Sequence, residues 1–366
     1  MSTDAPETAR LQYFGPNWFA SVMGTGIVAT AAASLPVHLP GLRGFAEGVW
    51  VIATALLVLL LVAVSVQWVR HPKVARGQVR NPQMTHFYGA APMALMTVGL
   101  GALLLGKDLI GTRLAVDLDW ILWTAGTIGG LFTAMTIPFL MFTQLEVGPD
   151  AAFGGWLMPV VPPMVSAATG AALVQRLPEG AAQIAMLALC YTLFALALSA
   201  ALTVAVVVGR HLLSNGLPDT PLVPTLWIPL GVIGQSVAAI NLLGGASGHA
   251  WLHAVGVVYG TTIGALGVLA LVTLVTVTAK AFRRGLGFTP GWWSFTFPVG
   301  TCALGANSLG VALDSVVIVG AGVTLWCALV LIWSTVAVRT LRHAAGQRGG
   351  RVVRDDSAAH ALSAVR

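Results

Sequence analysis

Apolar residues run through this chain in stretches longer than a soluble core helix, and every second stretch is broken by proline or glycine. With Gly24, Pro92, Pro162, Pro229 and Pro298 as anchors, the breaks recur at intervals of about 68, 70, 67 and 69 residues, a period that marks internal repetition. Between successive breaks lies a second apolar stretch that is mostly continuous, as from Val49 to Val66 or in the charge-free segment from Gln183 to Gly209. The pattern reads as five copies of one unit, a kinked helix followed by a straight one. Only helices and closed barrels satisfy the backbone in lipid, and these stretches lack the alternation of barrel strands. At about 20 apolar residues per crossing, ten spans are expected, over 16–35, 46–69, 83–106, 118–143, 152–174, 182–209, 222–245, 251–281, 291–311 and 315–341. Five similar units in lipid most naturally form a ring, with kinked spans around a central pore and straight spans outside.

Composition fixes the class. Hydrophobic residues make up 57% and charged residues 9%, against roughly 25% charged in soluble domains, and the mean hydropathy is +0.84. So little charge cannot cover a water-facing surface, and the fold class is an all-α integral membrane protein. Of the 19 Lys and Arg residues, 15 fall on one side of the ten-span arrangement: Arg10, Arg70, Lys73, Arg76, Arg80, Arg210, Lys280, Arg283, Arg284 and the six arginines from Arg339 onward. Arg43, Lys107, Arg113 and Arg176 make up the other side. Positive loops mark the cytoplasm, so both termini are expected to face it across a cell membrane. The net charge of +6 is then a topology signal, and no nucleic-acid partner is implied.

Residues 1–15 are read as a cytoplasmic lead, 16–342 as the transmembrane domain, and 343–366 as a basic tail with too little apolar content to pack, hence disordered. Residues 18–33 followed by Ser34-Leu35-Pro36 have the outline of a secretory signal. Against cleavage, Asp4 and Glu7 dilute the positive start, and removal would delete the first broken helix.

The spans hold almost no ionisable residues, the usual mark of proton relays and cation sites; Glu146, Asp150 and Asp314 fall at span ends. The broken spans instead carry Ser21, Thr25, Thr97, Ser166, Thr169, Gln235, Ser236, Asn241, Thr296, Thr301 and Asn307. Neutral donors and helix dipoles hold an anion loosely enough to let it leave. Thr25, Ser166, Gln235, Asn241 and Thr301 are the pore-lining candidates, although residues of these types also bond between helices. His86, at the start of the third span, is a candidate pH sensor. His249 and His253 have the spacing of a metal pair but no third ligand, so no metal or cofactor is expected. Cys190, Cys302 and Cys327 lie in apolar spans without metal or disulfide spacing and read as small buried hydrophobes.

Two segments are specific enough to carry a family resemblance. Residues 14–28, Phe-Gly-Pro-Asn-Trp-Phe-Ala-Ser-Val-Met-Gly-Thr-Gly-Ile-Val, and residues 290–301, Pro-Gly-Trp-Trp-Ser-Phe-Thr-Phe-Pro-Val-Gly-Thr, closely resemble the first and ninth helices of the tellurite-resistance/dicarboxylate transporter family. That family includes the bacterial tellurite-resistance protein, fungal malic acid and sulfite-efflux transporters, and plant slow anion channels. The resemblance implies five helical hairpins in quasi-fivefold arrangement around a central pore, a homotrimer, and a phenylalanine plugging the pore. On the matching motif that residue is Phe297, with Phe295 as runner-up. The wording of the motifs is nearer the sulfite-efflux and malate-type members, and gating by kinase is not expected.

The expected function is passage of small anions or weak acids through a phenylalanine-gated pore: a C4-dicarboxylate such as malate, sulfite, a tellurite-related oxyanion or an inorganic anion. A proton-coupled dicarboxylate carrier is the alternative, and the lack of buried carboxylates leans toward a channel. A membrane-embedded enzyme, with His249, His253 and Asp314 as its only candidate groups, is the remote reading, so the chain is not expected to be an enzyme.

Overall fold

The computed structural model describes residues 14–363 except 38, 146, 149 and 150, with side chains described through residue 345. Arg10, Glu146, Asp150 and the acidic residues of the lead lie outside the described residues; of the tail beyond residue 345 the backbone alone is described, and it is helical to Ser363 where disorder was expected. Every regular element among the described residues is helical. In chain order these are α1 (Phe19–Ala33), α2 (Leu42–Arg70), α3 (Pro72–Arg80), α4 (Ala90–Gly101), α5 (Thr112–Thr143), α6 (Pro162–Val174), α7 (Ala181–Asn215), α8 (Ile228–Ala246), α9 (Ala250–Arg283), α10 (Thr296–Ala312) and α11 (Val316–Ser363). α4 runs on through a π turn, Ala102–Gly106, and a last α turn, Lys107–Ile110.

The repeat is visible in how each unit starts. Apart from α3, a 3-10 segment precedes every short helix: Pro16–Trp18 before α1, Thr85–Gly89 before α4, Gly154–Leu157 before α6, Thr220–Trp227 before α8 and Pro290–Phe295 before α10. Pro162 is the first residue of its helix, Pro229 the second, and Pro92 and Pro298 the third. Gly24 is the sixth residue of α1. The break is therefore a change of helix type at the start of each short α-helix, not a bend inside it. Proline is at ease there because first-turn N–H groups have no intrahelical acceptor to lose.

The turns into the long helices repeat as well. Gly41, Gly111, Gly180 and Gly248 have φ between 67° and 126°, and the fifth turn carries Asp314 at φ 49°. Each reverses the chain just before α2, α5, α7, α9 and α11. Glycine adopts this conformation at no steric cost; aspartate is one of the few other residues that visits it.

Each short helix packs on the long helix that follows it. The short helices also touch one another in a closed cycle: α1 on α4, α4 on α6, α6 on α8, α8 on α10, and α10 back on α1. Small residues allow this. A Cβ added at Gly234 of α8 would lie 2.6 Å from the Thr301 carbonyl carbon of α10. In α1 every residue but Ala33 is buried.

The long helices expose apolar side chains on one face, among them Val58 and Leu59 of α2, Phe132 and Met135 of α5, and Val258 and Leu269 of α9. That is the surface an acyl-chain solvent requires. Among the described residues, seven segments are long and apolar enough to cross a membrane: Leu42–Arg70, Thr85–Ile110, Thr112–Thr143, Ala181–Asn215, Thr220–Ala246, Ala250–Arg283 and Val316–Ala345; Pro162–Val174 is a shorter apolar helix. The protein is thus an all-helical multi-pass membrane protein.

Candidate functional site

A cavity of about 440 Å³ is lined by all five short helices, through Ile27 and Thr30 of α1, Thr97 and Leu100 of α4, Val165 and Thr169 of α6, Gln235 and Asn241 of α8, and Leu304 and Asn307 of α10. These residues come from the middles and C-terminal ends of their helices. A second void, about 30 Å³, lies among the helix starts: Ala20, Met23, Met93, Met158, Val161, Ile228, Trp293 and Pro298. The side chain of Phe297 lines both spaces and is the residue their walls share.

Phe297 is held by local sequence. It is the second residue of α10, between the 3-10 segment and Pro298, and is 9% exposed. Around it converge the first turns of α6, α8 and α10, where proline or bonds to the preceding 3-10 carbonyls, as at Ile228 and Thr296, account for the N–H groups and the helix dipoles alone mark the narrow end. Phe295, two residues earlier, is placed elsewhere. Its ring meets Trp227 edge-on at 5.5 Å and Trp292 at 6.0 Å, in an aromatic cluster beside the 3-10 segment.

Among the described residues lining the large cavity, His253 is the one ionisable side chain. The hydroxyls of the wall have already spent their protons: Thr30, Ser34, Thr97 and Thr169 each donate to the carbonyl four residues back, at 3.2, 2.8, 2.7 and 2.8 Å. They present oxygen lone pairs, and a bound anion must recruit them by rotation. The amides remain. Gln235 Oε1, Asn241 Oδ1 and both polar atoms of Asn307 have no hydrogen-bond partner among the described residues. Asn241 Nδ2 donates to the Val237 carbonyl at 2.9 Å, and its amide lies against Gly260 of α9. The Asn307 amide abuts Gly322 of α11.

The structure therefore divides the five polar candidates. Gln235 and Asn241 line the cavity; Thr25, Ser166 and Thr301 do not. Thr25 Oγ1 accepts the Trp333 indole N–H of α11 at 3.0 Å. Ser166 Oγ accepts the Thr127 hydroxyl of α5 at 3.0 Å, and Thr301 donates to the Gly231 carbonyl at 3.1 Å. All three serve helix contacts, the competing use for such residues in lipid. Thr30, Ser34, Gln175 and Ser308 line the cavity instead. No pattern in the sequence singles them out, because the short helices are buried on every side and have no solvent face from which to read direction.

His86 is also displaced from its expected place. It is fully buried, stacked on Trp156 at 6.0 Å and edge-on to Phe153 at 5.2 Å, with neither ring nitrogen partnered among the described residues. It faces aromatic walls, not the water at a mouth. Both histidines are exposed, and of the two only His253 lines the large cavity. No cluster of three metal-binding side chains occurs among the described residues. Cys190 is buried and Cys302 half-buried, but Cys327 is exposed on the outer helix α11, so it is not a buried hydrophobe.

A buried carboxylate does exist. Asp119 of α5 is fully buried, with neither oxygen partnered among the described residues. It lies against Gly99 of α4, where an added Cβ would sit 2.8 Å from Asp119 Oδ1. Its position seven residues into a long apolar helix hid it, because a charge near a span start reads as interfacial.

Residues 13–341 match the family described as SLAC1: Voltage-dependent anion channel. The chain belongs to this family. It is 25% identical over 331 residues to an uncharacterized transporter of Methanocaldococcus jannaschii, covering 90% of this chain and 93% of that protein. It is 23% identical over 338 residues to the sulfite efflux pump SSU1 of Arthroderma otae, with 90% of each chain covered. A putative malic acid transport protein of Schizosaccharomyces pombe is 19% identical over 352 residues, 91% of this chain and 80% of that protein. The SLAC1-family assignment and the anion, sulfite and malate names among the relatives agree with the resemblance read from the two motifs.

Proposed function

We propose that this SLAC1-family protein conducts small anions through the axis of five helical hairpins, ten spans in quasi-fivefold arrangement, with Phe297 as the gate. The observation that carries the reading is that Phe297 is the residue shared by the walls of the two spaces. An apolar ring in a narrow channel stops a hydrated ion by dewetting. The converging helix starts supply a positive potential without a charged ligand that would trap the ion. Sulfite, malate and inorganic anions are the substrate class supported by the named relatives. Both termini face the cytoplasm in this reading, three copies assemble with one pore each, and the chain has no enzymatic role. Anion uptake by the purified protein in vesicles tests it. Nitrate, chloride, sulfite and malate are compared for wild type and Phe297→Ala. Flux that rises in the variant supports a plugged pore, and silence in both removes the transport reading.

A second reading, a proton-coupled dicarboxylate carrier, is favoured by Asp119, because such a carrier needs a titrating group within its spans. Malate uptake that follows an imposed pH gradient in wild type and ignores it in Asp119→Asn supports the carrier. Uptake indifferent to the gradient in both removes it.

A further inference from the structure

The short helix α3, Pro72–Arg80, has no part in the conduction pathway, yet it is held firmly in place. Gln78 Nε2 donates to the Phe14 carbonyl at 3.2 Å, and Gln67 Nε2 of α2 donates to the same oxygen at 3.1 Å. Ala75 is buried beneath the helix, while Lys73, Arg76 and Arg80 are exposed. Arg76 and Arg80 are four residues apart, so they share a face. A crevice of about 130 Å³ is lined by these two arginines with Val79, Trp68 at the end of α2, and Leu140, Gln144 and Leu145 at the end of α5. Neither arginine makes an ion pair or hydrogen bond among the described residues. No acidic residue occurs between Glu47 and Asp108.

We propose that this crevice binds the phosphate headgroup of an anionic membrane phospholipid. The crevice is amphipathic: two guanidinium groups, an indole and an amide share its lining with Val79, Leu140 and Leu145. Guanidinium groups match phosphate oxygens in a planar fork. A cavity of about 130 Å³ is well above the roughly 10–15 Å³ that a single water needs, so a phosphate group has room in it. The chains have somewhere to go. Val62 and Val69 of α2 and Met135, Phe139 and Phe142 of α5 expose apolar surface on the helices that flank the crevice. A free inorganic anion uses only the polar groups of the lining; a lipid also uses the apolar surface of the flanking helices. That difference favours the lipid.

The test uses the full chain purified in neutral detergent and native mass spectrometry with added phosphatidylglycerol or phosphatidylcholine. Wild type is expected to retain phosphatidylglycerol in preference. The double variant Arg76→Gln/Arg80→Gln is expected to bind it about 25-fold more weakly, from about fivefold for each basic residue near an anionic headgroup. Lys73→Gln removes a charge from the same helix outside the crevice and is expected to leave retention unchanged; an unaltered thermal midpoint in each variant confirms folding. Equal loss on Lys73→Gln would make the effect diffuse surface charge and overturn the site. So would displacement of the lipid by millimolar inorganic phosphate, which would assign the crevice to a free anion, or unchanged retention in the double variant.

Discussion

The indole N–H of Trp333 donates to Thr25 Oγ1 at 3.0 Å across 308 residues of chain, tying the last helix to the first. Trp326, two turns earlier on α11, makes a parallel tie from its indole N–H to the Val28 carbonyl at 3.1 Å. Together with the α1–α10 contact, these bonds close the cycle of short helices, which chain connectivity leaves open at this one seam. Thr25, expected to face the conduit, instead holds the seam.

Trp333→Phe keeps the aromatic bulk and removes the donor. Interhelical hydrogen bonds in membranes average about 0.6 kcal/mol, so the variant is expected to lose roughly that much stability. Adding Trp326→Phe is expected to lower the thermal midpoint further. A midpoint unmoved by the double change would show that packing alone closes the seam.

Phe297 and Phe295 separate gating from packing. Truncating Phe295 breaks its contacts with Trp227 and Trp292 and is expected to cost about 3 kcal/mol of stability without raising flux. Truncating Phe297 removes a wall between two spaces already present, and each ~1.4 kcal/mol taken off the barrier raises flux about tenfold. Paired measurement of nitrate flux and detergent unfolding checks the split. An open leak from Phe295→Ala with none from Phe297→Ala would exchange their roles.

The Gly99–Asp119 contact predicts a double-mutant signature. Gly99→Ala places a methyl 2.8 Å from Asp119 Oδ1 and 3.1 Å from Leu122 Cβ, an overpacking expected to cost about 1–3 kcal/mol. Asp119→Ala frees space, so the pair should be markedly non-additive. Strict additivity of the unfolding free energies would mean that the two residues do not share one space.

Asp314 is the one non-glycine residue with positive φ among the described residues, in a turn where the other four units use glycine. Left-handed backbone costs a side-chain-bearing residue about 1–2 kcal/mol, less for aspartate. Asp314→Gly is expected to stabilise by about 0.5 kcal/mol, after the greater entropy glycine loses on folding. A lower midpoint in the variant would show that the carboxylate has a compensating role there.

Helical spans, a buried set alternating with an exposed set, and the family were all legible in the sequence. Each depends on properties summed over many residues: segment hydropathy, the recurrence of Pro and Gly, and two long motifs around Gly24 and Pro298. Gln235 and Asn241, which line the large cavity, stand out in the sequence because an amide in an apolar helix is conspicuous singly. The rest was not legible. The linear pattern could locate a proline but not say whether it bends a helix or begins one, because the 3-10 segments differ from α-helix by hydrogen-bond register alone.

The sequence by itself determined that this chain must live in lipid, because so few charges cannot clothe it in water. Only the tertiary structure decided which way each buried residue points. The short helices are apolar all round, so Thr30 and Thr25 are equivalent in composition and opposite in use, and Asp119 is concealed by the glycine of a neighbouring helix. Phe297 stands between two spaces because five distant segments converge on it, a relation that no local pattern encodes.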